Sequence, residues 1–258
     1  MLDVVLVLLV ALGASFLTLF SGFGLGTLLL PAFALVWPLE VAVAATAVVH
    51  LANNVWKGGL LGRQAEFGVV LRFGAPAAAA AFLGAWLLLR IDTAPVAVWA
   101  GGTVTPLGLV VGGLIVVFGL FDLVPRLKRW SVGGRHLVLG GTLSGFFGGL
   151  SGHQGALRSV FLTKLGLTPT AFVATGTMCA ILVDASRITV YGLAGWQGTG
   201  LRIGQAGGWW LVAGATVAAA VGAIAGKRLL GKVTLDGVRT LVGTLLLLVG
   251  GAIMAGLV

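Results

Sequence analysis

Residues 136–165 read HLVLGGTLSGFFGGLSGHQGALRSVFLTKL. A long apolar run rich in glycine is cut by Ser-Gly-His-Gln-Gly at 151–155, and a shorter apolar run follows with Arg158 near its start. Residues 4–36, VVLVLLVALGASFLTLFSGFGLGTLLLPAFALV, repeat the pattern, with Ser-Gly-Phe-Gly-Leu-Gly at 21–26 as the cut. Backbone freed at such breaks is tolerated in a bilayer only where protein buries it or where it lines a water-filled cavity. The reading that follows is an all-α polytopic membrane protein in which each half opens with a broken or re-entrant helical segment.

Composition leads the same way. Of the 258 residues 59% are hydrophobic and only 9% charged, a balance that no soluble core of this size requires. Further apolar stretches at 1–20, 67–89, 207–226 and 241–258 approach or exceed the roughly 20 residues that span a hydrocarbon core of about 30 Å. The 43 glycines and the alanine runs suit helices that approach closely in lipid. The net charge of +9 is scattered through short loops and forms no single basic face, so it argues for topology and against nucleic acid. Cys179 stands alone in an apolar run and reads as an inert buried thiol. The first run has no Lys or Arg before Lys57, which is unlike a cleaved signal peptide and is expected to remain as a membrane segment.

Apolar spans at 4–20, 27–36, 41–56, 67–89 and 107–123 are followed by a second set at 136–150, 156–165, 169–191, 207–226 and 239–257. Sliding the chain by 130 positions places Ser21-Gly22 on Ser151-Gly152, Asn54 on Asp184 and Lys57 on Arg187; a slide of 138 aligns Gly84-Ala85 with Gly222-Ala223 and Arg90 with Arg228. We therefore expect one duplicated domain: a first repeat at 1–123, a basic linker at 124–135 and a second repeat at 136–258. Basic loops stay in the cytoplasm. Loops 57–66, 125–135 and 227–239 are expected there, with 90–105, 192–205 and both termini outside, which makes the two repeats inverted. Eight tryptophans, among them Trp37, Trp56, Trp130, Trp196, Trp209 and Trp210 near span ends, read as interfacial anchors.

Paired broken helices in inverted repeats point to a central binding site. Candidate substrate contacts are Ser21, Gly22 and Gly24 at the first break and Ser151, Gly152, His153, Gln154 and Arg158 at the second. A half-helix that starts with unpaired N–H groups attracts anions, and Arg158, one turn beyond Gln154, supplies a permanent positive charge. Thr46, His50, Asn53 and Asn54 recur at helical spacing after the first break; Thr177, Asp184 and Arg187 do so after the second, where Thr175 is a further polar candidate. Asp184 and Arg187 are either a local ion pair or direct ligand contacts, and both roles demand burial. The histidines lack zinc-site spacing, and no nucleotide-binding or hydrolase motif occurs, so neither cofactor nor metal is expected.

The two breaks, the pairs Ala45-Thr46 and Ala174-Thr175-Gly-Thr177, and the duplicated order resemble the sulfite exporter TauE/SafE family, also called toluene sulfonate uptake permeases, over nearly the whole chain. The resemblance implies secondary transport of sulfite, thiosulfate or organosulfonates across the bacterial inner membrane. Phe23 and Leu25 in one break and His153-Gln154 in the other depart from the glycine-richer breaks of that family. The partners expected are a small anion, the lipid bilayer, a coupling proton or sodium ion, and a second copy in a homo-oligomer. Two rival readings are an intramembrane enzyme using His153 and Asp184 as an acid-base pair, and a passive anion channel.

Overall fold

The computed structural model describes residues 2–21, 25–124, 132–195, 204, 208–229 and 235–257. Helix α1 (Leu2–Ser21) precedes α2 (Leu25–Ala34), α3 (Leu39–Leu61), α4 (Phe67–Leu88) and α5 (Pro106–Leu123). The second half carries α6 (Leu137–Ser151), α7 (Gly155–Leu162), α8 (Pro169–Gly195), α9 (Gly208–Leu229) and α10 (Leu235–Met254). Among the described residues, four helices are long and apolar enough to cross a membrane: Leu39–Gln64, Phe67–Leu88, Pro169–Leu193 and Gly208–Gly226.

The first break itself, residues 22–24, lies outside the described residues, as do 125–131 of the basic linker and most of the loop expected at 192–205. Helices α2 and α7, with ten and eight residues, reach only about 15 and 12 Å at 1.5 Å per residue, half a bilayer or less. The second opening is re-entrant. Its α7 returns to the end from which α6 started, where Val132 N–H donates to Val160 O at 3.0 Å.

The molecule is apolar outside and polar within. Leu9, Leu71, Val138, Val217 and Leu248 are exposed, whereas Asp184, Arg187 and His50 are buried. That inversion of the soluble pattern is what lipid selects. Close helix approach depends on small residues: Gly141, Gly145 and Gly149 form a stripe on α6, and a Cβ on any of them would collide with the carbonyl oxygens of Phe73, Ala77 or Ala81 on α4. The pairs α4–α6, α1–α9 and α5–α10 make the broad helix contacts, while α8 packs on both α3 and α4.

One end of the bundle gathers residues 34–40 with Thr93, Thr103, Thr105, Leu107, Gly108, Ile253 and Gly256, which surround a cavity of about 550 Å³. A hairpin that the sequence reading took as loop sits there, β1 (Ala97–Trp99) paired antiparallel with β2 (Gly102–Val104) and tied to the end of α10 by Trp99 Nε1 donating to Ala255 O at 2.9 Å. Val96, Val98, Trp99 and Val104 favour strand, and Gly101 turns the chain. At the opposite end Leu61, Ala65, Val132, Leu137, Leu162 and Leu165 share one cluster.

Two side-chain placements correct the sequence reading. Trp37 is buried and stacked on Phe33 at 5.2 Å between ring centroids, so it packs in the core, while Trp56, Trp209 and Trp210 are exposed and Trp130 and Trp196 lie outside the described residues. Lys57, assigned above to a loop, lies inside α3 and is buried because that helix runs on to Leu61.

Gly145→Val should lower the thermal unfolding temperature of the detergent-solubilised protein, since overpacking costs about 1–3 kcal/mol. Gly113→Ala, where nothing lies within 4 Å of the added carbon, should leave it unchanged.

Candidate functional site

Helix α3 presents Thr46, His50, Asn53, Asn54 and Lys57 at three- and four-residue steps, all of them buried. It packs against α8, which carries Thr175, Thr177, Asp184, Ser186 and Arg187, also buried. At the centre is the Asp184 carboxylate, with no exposed surface. Its Oδ2 lies 2.6 Å from His50 Nδ1 and accepts from Asn54 Nδ2 at 3.0 Å; its Oδ1 accepts from Gln154 Nε2 at 3.2 Å. Arg187 Nε is 3.1 Å from Oδ1 as an ion pair, without the alignment of a hydrogen bond. An unpaired charge here would cost about 2.5–3.5 kcal/mol on insertion scales, so donors from three chain segments converge on it.

The second break delivers one of those donors. Helix α6 ends at Ser151, and Gly152 closes it in the left-handed conformation, φ 82°, with its N–H donating to Gly148 O at 2.8 Å. Glycine is required twice over, because a Cβ at this position would also sit 2.8 Å from Arg187 Nη1. Ser144 Oγ pins the turn by donating to Gln154 O at 2.8 Å. The Gln154 amide is oriented by opposite partners, its nitrogen donating to Asp184 and its Oε1 accepting from Arg158 Nη1 at 3.2 Å. Arg158 therefore reaches the centre through Gln154 and is itself only half-buried.

His153 is held by Ser151 Oγ, 3.1 Å from its Nδ1, and by a parallel stack on Phe118 with centroids 5.8 Å apart. Among the described residues, five buried polar atoms of this region have no hydrogen-bond partner: Arg187 Nη2, Arg187 Nε, which is in the ion pair with Asp184, His153 Nε2, Thr46 Oγ1 and Asn53 Nδ2. Unpartnered buried polar atoms are costly in a finished core. Ser151 Oγ gives its hydrogen to Phe147 O, so His153 carries its own on Nδ1 and its Nε2 is an acceptor, while Arg187 Nη2 is a donor beside the break. Asn53 uses its oxygen to accept from Ser15 Oγ at 3.3 Å.

The structure thus brings His50, Asn54, Gly152, Gln154, Arg158, Asp184 and Arg187 into one network. Thr46 adjoins it, its Cγ2 3.4 Å from where a Cβ on Gly26 would stand at the start of α2. Thr175 sits apart: its Oγ1 accepts the Glu66 N–H at 2.9 Å and so anchors the beginning of α4. Ser151 Oγ donates to Phe147 O, and Thr177 is buried in the same helix. Gly22 and Gly24 lie outside the described residues, and of Ser21 only the backbone, at the end of α1, is placed.

Sequence reasoning missed Lys57 and Phe118. Lys57 is close enough to Arg158 for their charges to repel, and its helical step from Asn53 was the available signal. Phe118, on α5, carried no sequence signal for a contact with His153. The enzyme reading finds no geometric support, since His153 is engaged by Ser151 and Phe118 while both Asp184 oxygens are held by other groups. Among the described residues no cluster of three or more His, Cys, Asp or Glu side chains is arranged for a metal.

A helical bundle with its apolar residues turned outward and a charged, hydrogen-bonded centre within is a multi-pass membrane protein with an internal polar site. The chain belongs to the sulfite exporter TauE/SafE family, whose model matches residues 7–253. Members of this family are transporters, not enzymes, and membership supports transport of sulfur-containing anions in general. No match was found among curated proteins or among solved structures.

Asp184→Asn should destabilise the protein strongly, by about 3–5 kcal/mol, because it leaves Arg187 buried without its counter-charge. Asn54→Leu should cost less, about 1–3 kcal/mol, by removing one donor to Oδ2. Thermal unfolding in detergent ranks the two.

Proposed function

We propose that the protein is a secondary transporter of small sulfur oxyanions, such as sulfite, thiosulfate or an organosulfonate, held at the second break and moved by alternating access. The observation that carries this reading is the unpartnered buried donor Arg187 Nη2, beside the backbone turn at Gly152. An oxyanion offers the acceptor it lacks. Arg158 adds positive charge nearby through its hydrogen bond to Gln154.

Alternating access by two inverted repeats, residues 1–123 and 136–258 joined by 124–135, is supported by which residues touch. Where a two-fold axis relates two halves, equivalent residues meet on it. Asn54 donates to Asp184, its equivalent at an offset of 130. Gly112 and Gly250, offset by 138, back onto each other where α5 crosses α10. The α4–α6 packing likewise has its counterpart in α1–α9, and α4–α8 in α3–α9.

In our reading the protein lies in the inner membrane with both termini outside. The end bearing 62–66 and 132–136 is then cytoplasmic, and the end bearing 34–40, the hairpin and 253–256 is external.

In liposomes the protein should carry thiosulfate, sulfite or methanesulfonate with saturable flux. Arg187→Gln should weaken transport roughly 10- to 100-fold, as expected for a charge-assisted hydrogen bond worth about 1.5–3 kcal/mol. Arg158→Gln should weaken it less, and Arg135→Gln, at an exposed position, should match the wild type. Absence of protein-dependent flux across that panel would remove this substrate class; non-saturating flux would favour a channel. Cysteine labelling in a Cys179-free background tests orientation: sites at 63 and 133 should react from one side, and sites at 93 and 103 from the other.

A further inference from the structure

A short polar contact in the core joins two titratable groups, His50 and Asp184, at 2.6 Å. With Asp184 ionised, Nδ1 of the imidazole carries the hydrogen that the carboxylate accepts. Nε2 is left as the ring's acceptor, with only a long approach of 3.5 Å from Asn54 Nδ2. The Cδ2 edge of the ring lies against Gly26, 3.8 Å from where a Cβ would stand, at the start of α2 and next to the first break.

We infer that His50 is the proton-carrying group of this transporter, taking a proton at Nε2 when an anion occupies the site at Arg187, so that the anion moves together with a proton. This deepens the proposed function and rests on it.

Charge balance in a low-dielectric interior supplies the coupling. While His50 is neutral, Asp184 is the counter-charge for Arg187 among the described residues, and the two are paired at 3.1 Å. A proton on His50 gives Asp184 a second cationic partner at the shorter distance. The hold of Asp184 on Arg187 is then relaxed, and the guanidinium can turn its free Nη2 to the anion. Departure of the anion restores the original pairing and expels the proton.

Among the described residues, the charged and titratable groups around His50 are Asp184 and Arg187 on α8 and His153 at the break, with Tyr191 beside Arg187, Arg158 linked through Gln154 to Asp184, and Lys57 two turns along its own helix. Helix α2 carries no titratable residue, and α9 none from Gly208 to Gly226. An anion in the site brings a negative charge that a proton on His50 balances, which is the condition for coupling. A sodium ion is disfavoured at this point, because it needs several oxygen ligands and the Asp184 oxygens are already approached by nitrogen groups of His50, Asn54, Gln154 and Arg187.

The test uses thiosulfate and methanesulfonate, neither of which titrates near neutral pH. Each is added to purified protein in weakly buffered detergent solution containing a pH dye, while binding is followed separately by calorimetry. Wild-type protein should take up as much as one proton per anion bound, and its affinity should rise by as much as tenfold for each pH unit lowered. His50→Asn keeps a donor for Asp184 but cannot carry the proton, so it should bind with no proton uptake and a flat pH profile; His50→Gln serves if that variant does not fold. In liposomes an inward pH gradient, and not a sodium gradient, should drive accumulation in the wild type alone. Anion binding without proton uptake, proton uptake that survives in the folded His50 variants, or accumulation driven by sodium overturns the inference. If neither anion binds, the substrate reading fails first, and the missing calorimetric signal identifies that failure.

Discussion

The buried negative charge of Asp184 is the constraint around which the core is arranged. A carboxylate without exposed surface in an apolar bundle must be met by donors, and they come from places far apart in the chain: His50 and Asn54 on α3, Gln154 at the break, Arg187 one turn along α8. Each donor fixes an element. Helix α3 must cross α8 at this depth, and the α6–α7 turn must reach the same point, which is why the chain reverses inside the bundle at Gly152. Because Arg187 Nη1 lies so near that turn, charge pairing and backbone reversal satisfy one another.

Close approach is the second requirement, met by small residues. The glycines of α6 let the α4 backbone come near enough for its carbonyl oxygens to fill the space of absent side chains. Their four-residue spacing keeps that contact continuous along the helix toward the break. Lipid gives apolar side chains no reason to prefer one another over acyl chains, so packing and buried hydrogen bonds must hold the helices together. The break is thereby carried on a rigid α4–α6 pair, a fixed platform for Gly152, His153 and Gln154.

Much of this was legible in the chain. Apolar spans, breakers and the paired openings anticipated the described helices closely, because membrane helices must satisfy their backbone locally and their lengths follow the bilayer. The face running from Thr46 to Asn54 was readable from helical period alone, and so was the local pairing of Asp184 with Arg187. What stayed hidden was set by distance in sequence. Nothing in residues 50 and 184 taken singly says that they bond, nor that Phe118 stacks on His153, since such contacts depend on how helices cross. Lys57 was misread for another reason: a lysine near a span end usually marks a loop, yet here α3 continues past it and draws it into the core. The hairpin at 97–104 escaped because its strands are short and depend on the C-terminal end of α10 for support.

The central claim is that an oxyanion binds where the second break meets Arg187. An experimental structure determined with bound thiosulfate tests it most directly. The account predicts anion density within hydrogen-bonding reach of Arg187 Nη2, beside Gly152. Density confined to basic residues at the ends of the bundle, with Arg187 still turned to Asp184 alone, would contradict it.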